Sequence, residues 1–278
     1  MTPRHLQQRH ATRYLGYHGS DTHAPFASYF EPEMASLAAH VIEALNAGPQ
    51  AGPMLTVLED AGSLLEAEWE PTETGYALLP DGSMRVAVHT PMPEVTPRMW
   101  DWWFSWHGDD TRKYKLWHPR AHVFAQWADA DLHTGPRAYV GRTSYVDEYL
   151  GSRLIRAAIN FLPPSALGMD ETRLADPREA TAICARVGLS NYPLDVGYLL
   201  HHIRRTGDGA EMRSRFWIGG RHVAPRTRIR ALAHPPPSPV LRAASMTAAD
   251  ATALLIHCAQ EMAHLAALLP ALHQQFSS

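Results

Sequence analysis

The stretch from Thr247 to about Leu272 constrains this chain more than any other. Ala and Leu dominate it, Thr247 suits an N-cap and Asp250 falls in the first turn, so it reads as one long C-terminal helix. Residues four apart on a helix lie above one another, so His257 and Glu261 project from one face. Leu254, Cys258 and Leu265 share that face, which turns the pair inward. A buried carboxylate is costly unless it is paired or bound to a metal. The inward His-x-x-x-Glu is therefore either half of a metal site or a hydrogen-bonded pair on an amphipathic helix.

The chain before this helix is long enough to fold around it. With 278 residues, 45% of them apolar and 19% charged, it fits a soluble globular protein of one large domain, or of one domain with a small appendage. A net charge of −3 gives no electrostatic case for nucleic acid or an anionic membrane. The densest cationic run (Arg221, Arg226, Arg228, Arg230) is interrupted by Pro225 and apolar residues and reads as a solvated face. Two cysteines, Cys184 and Cys258, exclude a disulfide framework and multi-Cys zinc modules. The first ten residues lack a signal-peptide core and no apolar run reaches membrane-spanning length, so a cytoplasmic protein is expected.

Residues 1–60 look helical and somewhat detached, with a helix over Glu31–Leu45 and a short one over Met54–Leu65. From Trp69 the texture turns strand-like. Gly75–Leu79 and Met84–Thr90 flank the turn Pro80-Asp81-Gly82-Ser83, a hairpin signal. Arg98–Trp106 reads as a short aromatic helix, and its Trp100, Trp102, Trp103 and Trp106 are either core or the wall of a pocket for a flat aromatic ligand. Further strands are expected over Ala121–Trp127, Arg137–Tyr145, Leu154–Phe161, Tyr198–Arg205 and Glu211–Ile218, then a Pro-rich loop, Pro235–Pro239. Many strands closed by one long helix imply an α+β fold in which a curved antiparallel sheet grips that helix and leaves a cavity between them. Residues 1–60 would form the helical appendage and 61–278 the main domain.

Two segments can complete a metal site: Lys113-Tyr114-Lys115-Leu116-Trp117-His118-Pro119-Arg120-Ala121-His122, and Tyr145-Val146-Asp147-Glu148-Tyr149-Leu150-Gly151. With the C-terminal His-x-x-x-Glu and Arg213-Ser214-Arg215-Phe216-Trp217, they resemble the diacetylphloroglucinol hydrolases and related phloretin hydrolases from about residue 60 to 270. The resemblance implies a helix-grip (START-like) fold and a homodimer formed through the N-terminal helices. It implies Zn²⁺ held by His118, Glu148, His257 and Glu261, and hydrolysis of the carbon–carbon bond between a phenolic ring and an acyl group. Two imidazoles and two carboxylates are a donor set that suits zinc on chemical grounds too.

His122 rivals His118 as the ligand, and the family spacing favours His118. The family also needs a His near His201 and His202. Adjacent strand residues face opposite sides, so only one can enter the cavity, and the reading leans to His202. His202 (or His201) and Glu261 are the acid/base candidates; His107 and His264 are further ligand candidates that read more readily as surface or packing histidines. Tyr114, Tyr145, Trp103 and Phe216 are expected against a small aromatic ketone, although Ala121 and Phe216 fall where the family's pattern calls for polar groups. The competing readings are a carrier of aromatic polyketide or lipid without catalysis, and a metal-dependent polyketide cyclase on the same scaffold.

Overall fold

The computed structural model describes residues 13–129, 135, 137–226 and 246–277; the expected Pro-rich loop lies outside them, as do Arg228 and Arg230. Short 3-10 turns and helix α1 (Ala39–Ala47) open the chain, followed by a 3-10 segment, Leu58–Leu65. The strands are β1 (Gly75–Leu78), β2 (Ser83–Pro93), β3 (His122–Trp127), β4 (Thr143–Leu150), β5 (Arg153–Leu162), β6 (Ala180–Leu189), β7 (Leu194–Arg205), β8 (Gly209–Gly219) and the short β9 (Ala224–Pro225). Helices α2 (Pro97–Trp106) and α3 (Thr111–Trp117) separate β2 from β3, and α4 (Ala248–Phe276) ends the chain.

All pairings are antiparallel, in the order β1-β2-β8-β7-β6-β5-β4-β3, with β9 added beside β7. Helix α4 starts at a capping box in which the Thr247 hydroxyl accepts from the Asp250 amide and the Asp250 carboxylate accepts from the Thr247 amide. It packs on β1, β2, β4, α2 and α3, which is the helix-grip arrangement. Contrary to the sequence reading, this 29-residue helix is long and apolar enough to pass for a membrane span, yet 56% of its most apolar window is buried inside the protein.

The sheet is covered on both faces. Inward residues such as Val86, Met212, Ile203, Ile183 and Phe161 join Leu255, Cys258 and Leu265 of α4 in one core. Outward residues Ala182, Cys184, Leu200 and Trp217 pack beneath Ala61, Leu64, Leu167 and Leu174 in a second. Residues from 13 to 60 are not set apart, because Phe26 and Val41 belong to the main core.

Several expected elements shift. The helix expected over Glu31–Leu45 is confined to Ala39–Ala47, and residues 137–141 form turns rather than strand, with Arg137 at φ 59°. Strand β6 was not anticipated, since burial on both faces removes the alternation that marks a half-exposed strand. Helix α3 was read only as a run of ligands; it is started by Asp110, whose carboxylate accepts from the Arg112 amide.

A charged clamp ties the chain around Glu73 to the outer face. Glu73 accepts from Arg213 at 2.6 Å and from Arg215, both of them fully buried, and Arg213 also donates to the Leu64 carbonyl at 3.0 Å. Burial raises the Glu73 pKa, but the two guanidiniums outweigh it and hold the carboxyl at about 2 against an ordinary 4.5. A depressed carboxyl stabilises the fold above its unfolded pKa and loses that contribution as pH falls. We predict that acid costs up to about 3 kcal/mol at this clamp as pH drops from 4.5 toward 2. Glu73→Gln should lower stability at pH 7 by a similar amount, because it leaves two buried guanidiniums without their counter-charge. Denaturant titrations between pH 3 and pH 7 check both, and identical acid profiles for wild type and variant would refute the clamp.

Candidate metal centre and adjoining cavity

Four donors converge where β3, β4 and α4 meet. His122 opens β3 directly opposite Glu148 on β4, and a bulge between His122 and Phe124 follows at once. His257 and Glu261 come from α4, one turn apart. His122 Nε2 lies 3.4 Å from Glu261 Oε2 and 3.7 Å from Glu148 Oε2; His257 Nε2 lies 3.6 Å and 3.9 Å from the same two oxygens. The donor atoms of His122, His257 and Glu261 all fall within 4.8 Å of one another.

Neighbouring groups fix the orientation of each donor. His122 Nδ1 donates to the Tyr114 carbonyl at 2.9 Å, which leaves Nε2 as the free lone pair. The Tyr149 backbone holds the His257 ring in the same manner, so β4 both supplies Glu148 and aims His257. The Tyr114 hydroxyl donates to Glu148, and its ring stacks on His122 with centroids 3.7 Å apart.

Electrostatics follow from burial. Desolvation pulls His257 down to about 4, and desolvation together with the neighbouring imidazoles pulls His122 well below its ordinary value, so both rings are neutral at pH 7. Desolvation first, and then the charge of Glu148, push Glu261 well above the usual carboxylate range. Burial also raises Glu148, opposed by the Tyr114 hydroxyl. Neutral imidazoles beside two buried carboxylates are suited to a divalent cation, whose charge reverses the penalty on the acids. The spacing fits as well, because tetrahedral N/O donors about 2.0–2.1 Å from zinc sit about 3.4 Å apart.

The expected His118 is not one of the converging donors. It is the C-cap of α3, its ring stacks on His257 with centroids 4.8 Å apart, and its Nδ1 is buried without a partner among the described residues. The chain leaves the helix at His118 and enters the strand at His122, and the strand position faces Glu148. Glu148, His257 and Glu261 come together with His122 instead.

A cavity of about 90 Å³ adjoins the donors, walled by Phe104, Tyr114, Trp117, Val146, Phe161, Phe216 and others. That is less than the roughly 150 Å³ known to take a benzene ring, so admitting an aromatic ketone requires wall side chains to move. A larger surface groove of about 540 Å³ near Pro53 and Gly168 has no histidine on its walls.

Of the other expected residues, Tyr114 and Phe216 line the cavity. Trp103 is fully buried behind it, and the next residue, Phe104, takes its place on the wall. Tyr145 points away, since Ser144, Val146 and Glu148 occupy the inward side of β4. His201 faces the cavity, while His202 faces the outer layer beside Arg213 and Ala182. The lean toward His202 as the ring that enters the cavity is thereby corrected: of the two, His201 is the one that faces it. His107, read as a surface or packing residue, also lines the cavity, with Nδ1 donating to the Trp103 carbonyl at 2.9 Å; His264 is buried one turn beyond Glu261.

His201 is held by a partner that went unread. Its Nδ1 lies 2.8 Å from the Ser214 hydroxyl, which in turn bonds Cys258 of α4. If Ser214 donates to the sulfur, it accepts from Nδ1–H, and His201 Nε2 keeps a lone pair for the cavity. Burial pulls His201 down to about 3, so the ring is neutral at pH 7. We predict that Ser214→Ala shifts His201 toward the Nε2–H tautomer, read from its side-chain nitrogen shifts by NMR. An unchanged tautomer would rule out Ser214 as its determinant.

The fold and site together define a helix-grip protein whose cavity ends in a metal-type cluster of two histidines and two glutamates. The family model described as DAPG hydrolase PhiG domain matches residues 55–274, and the chain belongs to that family of hydrolases. It is 29% identical over 267 residues to the 2,4-diacetylphloroglucinol hydrolase of Pseudomonas protegens, covering 91% of this chain and 85% of that one. It is equally identical over 260 residues to the phloretin hydrolase of Eubacterium ramulus, covering 90% and 89%. Among solved structures, the ginseng major latex-like protein 151 from Panax ginseng is 12% identical, with a TM-score of 0.37 over 66% of this chain and 96% of that one. Norcoclaurine synthase from Thalictrum flavum gives 11% and 0.34, over 71% and 91%. At such scores the likeness adds nothing to the topology described above.

Proposed function

We propose that this protein hydrolyses the carbon–carbon bond joining an acyl group to a phloroglucinol-type ring, with Zn²⁺ held by His122, Glu148, His257 and Glu261. The observation that carries the reading is the convergence of three buried donors, His122, His257 and Glu261, with the half-buried Glu148 on the wall of an aromatic cavity. The names and identities of the two hydrolases above support the same substrate class.

The chemistry explains why such a ring is required. A phenyl carbanion is a very poor leaving group, whereas a polyhydroxylated ring tautomerises to a ketone whose ring carbon accepts a proton. A bound zinc ion supplies Lewis-acid polarisation of the acyl carbonyl or lowers the pKa of water. The protein's own groups do the rest. Phe104, Phe161 and Phe216 exclude bulk water and pack the ring. The Tyr114 hydroxyl holds the Glu148 carboxylate. His201, neutral with Nε2 toward the cavity, takes a proton from water as oxygen bonds to the acyl carbon. The ring–acyl bond then breaks, and the same Nε2 returns the proton to the ring carbon, giving a carboxylic acid and the free phenol.

Metal content by plasma mass spectrometry, paired with chromatography of acetylphloroglucinol hydrolysis, tests this reading. About one zinc per chain is expected in wild type and in His118→Ala, with loss of metal in His122→Ala and His257→Ala. Activity of those two should fall by more than roughly a hundredfold, the upper range for losing even a group that only supports a ligand. Full hydrolysis by the doubly substituted His257→Ala, Glu261→Ala protein, or no zinc uptake by wild type, would defeat the proposal.

A further inference from the structure

The cavity walls carry polar atoms that nothing among the described residues satisfies. Buried hydroxyl and indole groups almost always find partners, so each exception calls for an explanation. Among the described residues, two side chains both line the cavity and bury a polar atom without a partner: Ser144 through Oγ and Trp117 through Nε1. Both are more than nine-tenths buried, at 2% and 6% exposure.

Their positions are set by the elements that carry them. Ser144, Val146 and Glu148 alternate along β4 and share its inward face. At about 3.3 Å per residue, Ser144 lies about 13 Å along the strand from Glu148, at the opposite end of the cavity from the donors. Across the ladder it faces Ile159, and Phe161 lines the same wall, so its surroundings are otherwise apolar. Trp117 stands beside the donor end, its ring centroid 5.5 Å from that of His122 and edge-on to Phe104.

A polyhydroxylated ring bearing one acyl group matches this layout. The acyl oxygen and the hydroxyl opposite it are roughly 6 Å apart, and a polar contact of about 3 Å at each end brings the span to about 12 Å, comparable with the separation of Ser144 from Glu148 along the strand. A hydroxyl both donates and accepts, as a phenol does, whereas an indole N–H only donates. We propose that Ser144 Oγ and Trp117 Nε1 form a ring-oxygen subsite, in which Ser144 selects for a hydroxyl opposite the acyl group and Trp117 donates to an oxygen next to it. This rests on the hydrolase reading above for the orientation of the ring, with its acyl group at the donors. It goes further in assigning what distinguishes a trihydroxylated ring from a dihydroxylated one.

Binding separates this inference from that reading. Calorimetry would measure the Kd of acetylphloroglucinol and of acetylresorcinol, in which the hydroxyl opposite the acetyl group is missing, on the zinc-loaded full chain inactivated by His201→Ala. The triol should bind about tenfold tighter, or 1.4 kcal/mol, and Ser144→Ala should erase the difference by weakening the triol alone. Ser144→Thr, which keeps a hydroxyl, should restore most of it. Trp117→Phe, which keeps the ring wall and removes only the N–H, should weaken both ligands equally. Equal affinities in the parent protein, or an unaltered ratio in Ser144→Ala, would overturn the subsite and leave Ser144 a water-bound serine. A tenfold ratio lost in Ser144→Ala, in a chain that hydrolyses neither ketone with His201 intact, would uphold the subsite and sink the hydrolase reading instead.

Discussion

Two carboxylates taken out of water at one point are the constraint around which the rest of the site is arranged. Glu148 and Glu261 stand next to imidazoles that burial keeps neutral, so among the described residues no cation balances them at that point. Left bare, the pair is driven toward protonation, as the upward shift of Glu261 shows. A sequence that spends burial on two acids at one place requires something for them to hold. A carrier of apolar ligands gains nothing from them, and a structural pair would need only one acid and a charged partner. The surrounding hydrogen bonds agree with this, since Tyr114 and the Tyr149 backbone fix donor lone pairs toward a common centre instead of toward each other.

Holding that centre still is a task for the sheet, and its two-sided burial does it. The inner face packs α4, and the outer face lies beneath a second layer of 3-10 turns and loops. A strand clamped on both sides cannot slip by one residue without exchanging its faces. That matters most on β7 and β8, where His201 and Ser214 point inward while His202, Arg213 and Arg215 point outward. The arginines are tied down by Glu73 from the covering layer, so a charge cluster on the far side of the sheet contributes to the register that places His201 in the cavity.

Legibility of the site in the sequence tracks how local each decision is. His257 and Glu261 are readable because helix periodicity fixes their shared face over a single turn. Glu148 needs the resemblance to be found at all. The choice between His118 and His122 is hidden, because the two sit on either side of a change from helix to strand, where neither periodicity applies. Strand β6 is invisible for a different reason: the covering layer is distant in sequence, and its contact with Ala182 and Cys184 erases the alternation that a propensity reading depends on. Ala138, Tyr139 and Val140 are apolar, yet residues 137–141 turn back on themselves, which the left-handed Arg137 allows and composition does not reveal.

One part of the site was readable and is instructive for that reason. Once Glu148 is placed as an inward ligand on a strand, the parity of that strand is settled, and Ser144 and Val146 must face the cavity while Tyr145 cannot. The aromatic hydroxyl attracts attention as a binding group, yet strand geometry disqualifies it without reference to coordinates. The same reasoning does not choose between His201 and His202, because no residue on β7 has an independently known facing. Parity is thus a one-bit question for each strand, answered for every residue as soon as one side chain is anchored. The inward Glu148 is such an anchor on β4, and it turns the plain serine toward the cavity and the tyrosine beside it away.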